Sequence, residues 1–148
     1  MEERQLSSLQ KDALREVSNI GTGNAATALS MLLHQKIDMT VPSVNLIELS
    51  TMFDQVGEEE VAGIVVRVLG DIPGSILIIF EKVVALDIIK ILTGKDENHF
   101  SELGSSALCE IGNILSGSYM NAISKFTGLS AIASVPAVSY DMLNAILA

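Results

Sequence analysis

Two pairs of side chains in this sequence have the types and the spacing to act together: Glu16 with Asn19, and Glu110 with Asn113. Residues three apart on an α-helix are neighbours on one face, so each Glu-x-x-Asn would present a carboxylate beside a carboxamide. Such a pair sets a negative charge next to a group that both donates and accepts hydrogen bonds. A lone Glu-x-x-Asn reads as a solvated helix edge, because charged and amide side chains normally sit outside. Here, however, the surroundings of the pair occur twice. Sliding the chain by 94 positions lays residues 106–136, SALCEIGNILSGSYMNAISKFTGLSAIASVP, on residues 12–42, DALREVSNIGTGNAATALSMLLHQKIDMTVP, without a gap. Ala, Leu, Glu, Asn, Ile, Gly, Ala, Ser, Val and Pro recur at equivalent places, from Ala13 and Ala107 to Pro42 and Pro136. The apolar positions drift conservatively, Val17 to Ile111 and Leu29 to Ile123, whereas the polar pair is kept identical. That contrast weakens the reading of a mere solvated edge and points to duplication.

The elements that must position these pairs are helices. In the first copy Ala13, Leu14, Val17, Ile20, Ala25, Ala28, Leu29 and Leu32 form an apolar stripe with helical period, and Glu16 and Asn19 lie on its flank. Ser7 or Ser8 is the N-cap, and the period predicts a helix over residues 9–33. The second helix starts near Ser101 or Ser105 and runs to about Phe126, with Gly128 as its stop. Gly21 and Gly23 fall in the middle of the first helix, where glycine costs stability unless packing needs it. Gly23 recurs as Gly117, which predicts close approach of another helix there. The string Gly21-x-Gly23-x-x-Ala26 also fits a loose dinucleotide fingerprint. That reading is rejected because the fingerprint needs a strand before it and a helix opening after it, and here a helix already precedes it.

Between the two helices, residues 36–41 and 43–49 read as extended segments broken at Pro42, since proline cannot donate to a sheet ladder. Residues 50–56 suggest a short helix and 57–60 an exposed turn. Residues 61–69 (VAGIVVRVL) and 74–80 (GSILIIF) are β-branched runs joined by Gly70-Asp71-Ile72-Pro73, which predicts a hairpin. Residues 81–92 form an amphipathic helix closed by Thr93-Gly94, and residues 95–102 a polar linker with a solvated His99 and a Phe100 that caps the core locally. After the second helix, residues 131–140 repeat the extended segment around Pro136 and residues 141–147 repeat the short helix.

The expected fold is therefore α+β, with internal pseudo-twofold symmetry and two long helices packed over a mainly antiparallel sheet. The short crossings cannot easily supply a doubly wound parallel sheet. The chain reads as one domain, residues 1–148, made of two repeats, about 9–94 and 103–148. The second is truncated: counterparts of the hairpin and of the helix after it are missing from the sequence. A sheet built from both halves would then carry an uncovered edge or apolar face, which proteins rarely leave exposed. Either further residues beyond Ala148 or a symmetric self-association is expected to cover it.

Composition sets outer limits. A chain of 148 residues holds one good core, or two interlocked halves sharing one. A net charge of -9 and a pI near 4.5 argue against nucleic acid, whose binding needs Lys and Arg to displace counterions. They favour a partner with a basic rim. Cys109 is the sole cysteine, which excludes an internal disulfide or a cysteine-based metal site, and Arg15 takes its place in the other copy. The N-terminal MEERQLSSLQKD lacks an apolar signal core, and the apolar stretch 76–92 is interrupted by Glu81, Lys82, Asp87 and Lys90, so a cytoplasmic location is expected.

Asp12-x3-Glu16-x2-Asn19-x22-Pro42 and Ser106-x3-Glu110-x2-Asn113-x22-Pro136 resemble the doubled signature of the CheC-type chemotaxis phosphatases, a family that includes CheX and the FliY middle domain. The NIGTGNAATAL and GDIPGSILIIF stretches are similar to that family too, and the resemblance covers nearly the whole chain. Possession of both copies fits the CheC branch better than the CheX branch, in which one site per chain is expected. The departure is at the end, where the second half is normally completed. The resemblance implies dephosphorylation of the phosphorylated response regulator CheY, with Glu16, Asn19, Glu110 and Asn113 as the working residues. An aspartyl phosphate is an activated acyl phosphate whose hydrolysis needs an in-line water and positive charge on the phosphoryl oxygens. The receiver domain brings Mg²⁺ and a lysine, so no cofactor or metal is expected on this chain. Asn19 or Asn113 would orient the water, and Glu16 or Glu110 would engage the receiver's lysine. Asp12 and Ser106 fit helix capping or site support, and Pro42 and Pro136 a structural part. The alternative is a binding module without catalysis, either a partner of the receptor deamidase CheD or a domain like that of the flagellar switch protein FliM.

Overall fold

The computed structural model describes residues 7–40, 44–45, 47–48 and 59–142. Helix α1 spans Ser8–Leu33, and Ser7 opens it with a reciprocal cap. The Ser7 hydroxyl accepts from the Gln10 amide at 3.2 Å while the Gln10 side chain accepts from the Ser7 amide at 2.9 Å, satisfying two otherwise orphaned donors. Strands β1 (Glu60–Gly70) and β2 (Gly74–Glu81) form the hairpin, and α2 (Lys82–Thr93) follows and stops at Gly94 in the left-handed conformation. Helix α3 spans Glu102–Thr127, capped at Ser101 and ended by Gly128 at φ 72°. Both bounds of α3 lie 94 residues beyond those of α1, so the repeat seen in the sequence is a repeat of a whole helix. Two short strands, β3 (Ala131–Ala133) and β4 (Ala137–Met142), complete the described chain.

Among the described residues all pairing is antiparallel and centres on β1. One edge of β1 pairs with β2 from Val61↔Glu81 to Val68↔Gly74. The other is shared by β4, from Glu60↔Met142 to Val65↔Ala137, and β3, from Val68↔Ala133 to Gly70↔Ala131. The break between them falls at Ser134 to Pro136, where Ser134 bonds to Arg67 through both its amide (2.8 Å) and its hydroxyl (3.0 Å). Pro136 thus occupies a bend, as its missing N–H requires.

The inward residues of β1, Ala62, Ile64 and Val66, pack with Ala85 and Ile89 of α2 and Leu108 of α3. On another side of α3, Ile111 and Leu115 meet Ala25 and Leu29 of α1. Helix α3 therefore lies between the sheet and α1. Its contact with β1 is close at Gly112, where a Cβ would stand 2.6 Å from Ile64 Cγ2. Gly112→Ala is expected to lower stability by about 1–3 kcal/mol through overpacking, read as a fall in thermal midpoint. An unchanged midpoint would mean that the helix can withdraw from the strand at no cost.

Several expectations are corrected. The close helix approach is made by Gly21, whose Cβ would meet Tyr119 Cδ1 at 2.8 Å, whereas Gly23 and its counterpart Gly117 have nothing within 4 Å. Identity between the copies pointed to the wrong glycine, because the real contact joins unlike positions of the two repeats. Leu14 and Ile20, placed in the stripe of α1, are each 42% exposed. The buried apolar row is Val17, Gly21, Ala25, Leu29 and Leu33, a single ridge at spacing four that fits α3. Residues 36–40 join no strand, although their burial alternates; Ile37 and Met39 instead pack on the α1–α3 cluster, and the Ile37 amide donates to Ser30 Oγ at 2.9 Å. Of residues 43–49, the described Val44, Asn45, Ile47 and Glu48 are likewise outside any strand. Among the described residues only the second copy's extended segment joins β1, where it pairs along the edge opposite β2. Asp141 and Met142, expected in a helix, continue β4. Pro42, the short helix at 50–56, most of the turn at 57–60 and residues 143–147 lie outside the described residues.

Candidate functional site

Glu16 and Asn19 lie in the first half of α1, and Glu110 and Asn113 in the first half of α3. All four are exposed. None of their side chains has a hydrogen bond or an ion pair with another described residue, so nothing within the described fold occupies them. Each helix carries its buried ridge on the opposite side, which leaves one carboxylate and one carboxamide per helix facing outward at the same register. The arrangement can grip a cationic group and hydrogen-bond a small polar one beside it, but it offers no nucleophile. Among the described residues, no group of three or more His, Cys, Asp or Glu side chains could hold a metal ion.

The support beneath the two pairs is polar and buried. Three residues past each asparagine stands a hydroxyl, Thr22 in α1 and Ser116 in α3, both buried. Ser116 Oγ donates to the Gly112 carbonyl at 2.7 Å, and Thr22 Oγ1 shares a 2.6 Å hydrogen bond with the Tyr119 phenol. The Thr22–Tyr119 bond, beside the Gly21 contact, ties the helices together just beyond Asn19. Sequence reasoning missed this link because Tyr119 breaks the repeat, standing opposite Ala25 in the alignment.

The model of the CheC-like family matches residues 9–46 and again 103–140, the two copies with the same 94-residue offset. The chain is 42% identical over 145 residues to the CheY-P phosphatase CheC of Bacillus subtilis strain 168, across 93% of this chain and 69% of that protein. It belongs to the CheC-like family. Among solved structures, FliY of Thermotoga maritima superposes with a TM-score of 0.82 at 26% identity, covering 93% of this chain and 71% of that one. The FliM middle domain of H. pylori gives 0.73 at 14% identity, over 93% and 75%, and at that identity shares the fold alone. A CheC-like chain with this antiparallel sheet is the α+β architecture expected from the sequence, and no helix among the described residues is long and apolar enough to cross a membrane.

The flanks of the two Glu-x-x-Asn pairs differ. On the N-terminal side of Asn113, Ser105 Oγ is hydrogen-bonded to the Tyr140 phenol at 2.7 Å, and Tyr140 stacks on Phe100 with centroids 3.8 Å apart and planes 13° apart. Burial raises the Tyr140 phenol above its ordinary pKa, and the Ser105 hydrogen bond opposes that rise. Cys109 is half-buried, with its thiol directed at the Pro136 carbonyl at 3.7 Å. On the N-terminal side of Asn19 there is instead an open depression of about 220 Å³, lined by Ser8, Lys11, Asp12, Arg15 and Val44.

Proposed function

We propose that this chain dephosphorylates the aspartyl phosphate of a chemotaxis response regulator of the CheY type, using its two Glu-x-x-Asn pairs as separate sites. The observation that carries the reading is the occurrence of the same exposed, unpartnered pair at the same register of two long helices. The 42% identity to a CheY-P phosphatase supports the choice of substrate.

The chemistry asks little of the chain. The receiver domain supplies Mg²⁺ and a lysine at the phosphoryl group, and what remains is to place a water in line with the scissile bond. Asn19 or Asn113 does so by hydrogen-bonding that water, its carboxamide bringing both donor and acceptor without a charge that would repel the phosphoryl oxygens. Glu16 or Glu110 pairs with the receiver's lysine and sets the docking register. Water attacks phosphorus, the aspartyl carboxylate leaves, and inorganic phosphate is released with no covalent intermediate on this chain. The reaction takes place in the cytoplasm, where the regulator acts.

The second reading is a binding module without catalysis, either for the receptor deamidase CheD or as a FliM-like domain. The two readings part on where the receiver docks. Titration with a receiver domain held in its phosphorylated conformation by beryllium fluoride should shift the side-chain amide NMR signals of Asn19 and Asn113 first. Shifts confined to the sheet, with both amides unmoved, would favour the binding module.

A further inference from the structure

We propose that Arg15 is a phosphoryl-contacting residue of the first site that the second site lacks, so that the two sites recognise the same substrate with different electrostatics. This rests on the phosphatase reading above. The repeat places Lys11 and Arg15 where the second copy has Ser105 and Cys109. In the second copy those positions are uncharged, half-buried and tied to β4 and the bend before it, through Tyr140 and Pro136. In the first they are exposed and line the open depression together with Val44, the counterpart of Val138 in β4. The ion pairs among the described residues are Lys82–Glu60 and Lys90–Asp96, so neither Lys11 nor Arg15 is ion-paired within the described fold, although Asp12 lines the same depression.

Arg15 precedes Asn19 by four residues, about 6 Å along the axis, and so lies on the same helical face. Arg15 and Asn19 both lean toward the N-terminus and so stay about one turn apart, a gap that the long, flexible arginine stem spans. An anion held at Asn19 is therefore within the sweep of the guanidinium. The guanidinium's planar fork matches phosphoryl oxygens, and charge on those oxygens is what the transition state must spread. The chain has a net charge of -9, and on this stretch Lys11 and Arg15 offset Asp12 and Glu16, so an anion meets a locally neutral surface here rather than the acidic average.

The test isolates each site. In the Asn113→Ala protein, where only the first site works, Arg15→Gln should lower kcat/KM for regulator-phosphate hydrolysis about tenfold, the loss expected for one charge-assisted contact. Arg15→Lys should restore part of it, affinity for the unphosphorylated regulator should hold within about twofold, and the decline of kcat/KM with salt should become shallower. The inference is overturned if Arg15→Gln leaves the rate untouched, or lowers affinity for the unphosphorylated regulator equally, as a structural residue would. Asn113→Ala without activity beside an active parent would overturn it while the phosphatase reading stands. An inactive parent would remove both.

Discussion

Asn19→Ala together with Asn113→Ala is expected to reduce phosphatase activity to the regulator's own rate of phosphate loss, while binding to the regulator stays nearly intact. Removing a group that positions or polarises the reacting atoms costs about 10²–10³ in turnover where the interaction is made mainly in the transition state, with little change in affinity. Either single substitution should leave the activity of the other helix, because the two asparagines stand on separate elements. Folding gives the control. Both side chains are exposed and unpartnered, so stability should move by no more than about 0.5 kcal/mol per substitution, and toward greater stability, since alanine is the better helix former. Regulator-phosphate half-life, regulator affinity and thermal midpoint, measured on the two single variants and the double, check this. Loss of folding in the double variant would return these residues to a structural role.

Glu16→Ala and Glu110→Ala should behave differently. If each carboxylate meets the receiver's lysine at a desolvated contact, truncating it leaves that lysine buried and unpaired, a cost of about 2–5 kcal/mol. The double Glu variant is therefore expected to bind the regulator at least about thirtyfold more weakly and to lose kcat/KM in proportion. The glutamine versions should recover some affinity but not its salt dependence. Calorimetric titration of the regulator into the four single variants and the two doubles reads this directly. Unchanged affinity in the double Glu variant would mean that docking is set elsewhere on the helices.

Much of the scaffold under these sites was legible in the sequence. The caps at Ser7 and Ser101 and the stops at Gly94 and Gly128 have local causes, as does the β1–β2 hairpin, and these were placed within a residue or two of their observed positions. The exposure of Glu16, Asn19, Glu110 and Asn113 followed from their place relative to the apolar rows. What the sequence did not disclose depends on how the copies break their symmetry. A repeat cannot say which of two equivalent segments will take the single free edge of β1, so residues 36–40 and 131–133 look alike and fold differently. It cannot say that Gly21 faces Tyr119, since neither position has a like counterpart in the other half. The phosphoryl contact we propose for Arg15 falls under the same limit. Judged by identity between copies, a residue without a twin looked unimportant, and the open depression beside it is visible only once α1 is built.

The central claim, that the chain catalyses loss of the regulator's phosphate rather than merely holding the regulator, is tested most directly by turnover. A receiver phosphorylated with a small-molecule donor and then freed of it should lose its phosphate with a rate constant that rises in proportion to the chain added, and at one chain per twenty regulators every regulator should still be dephosphorylated. A rate that does not change with added chain, or that changes only until an equal amount of regulator has been bound, would contradict the phosphatase reading.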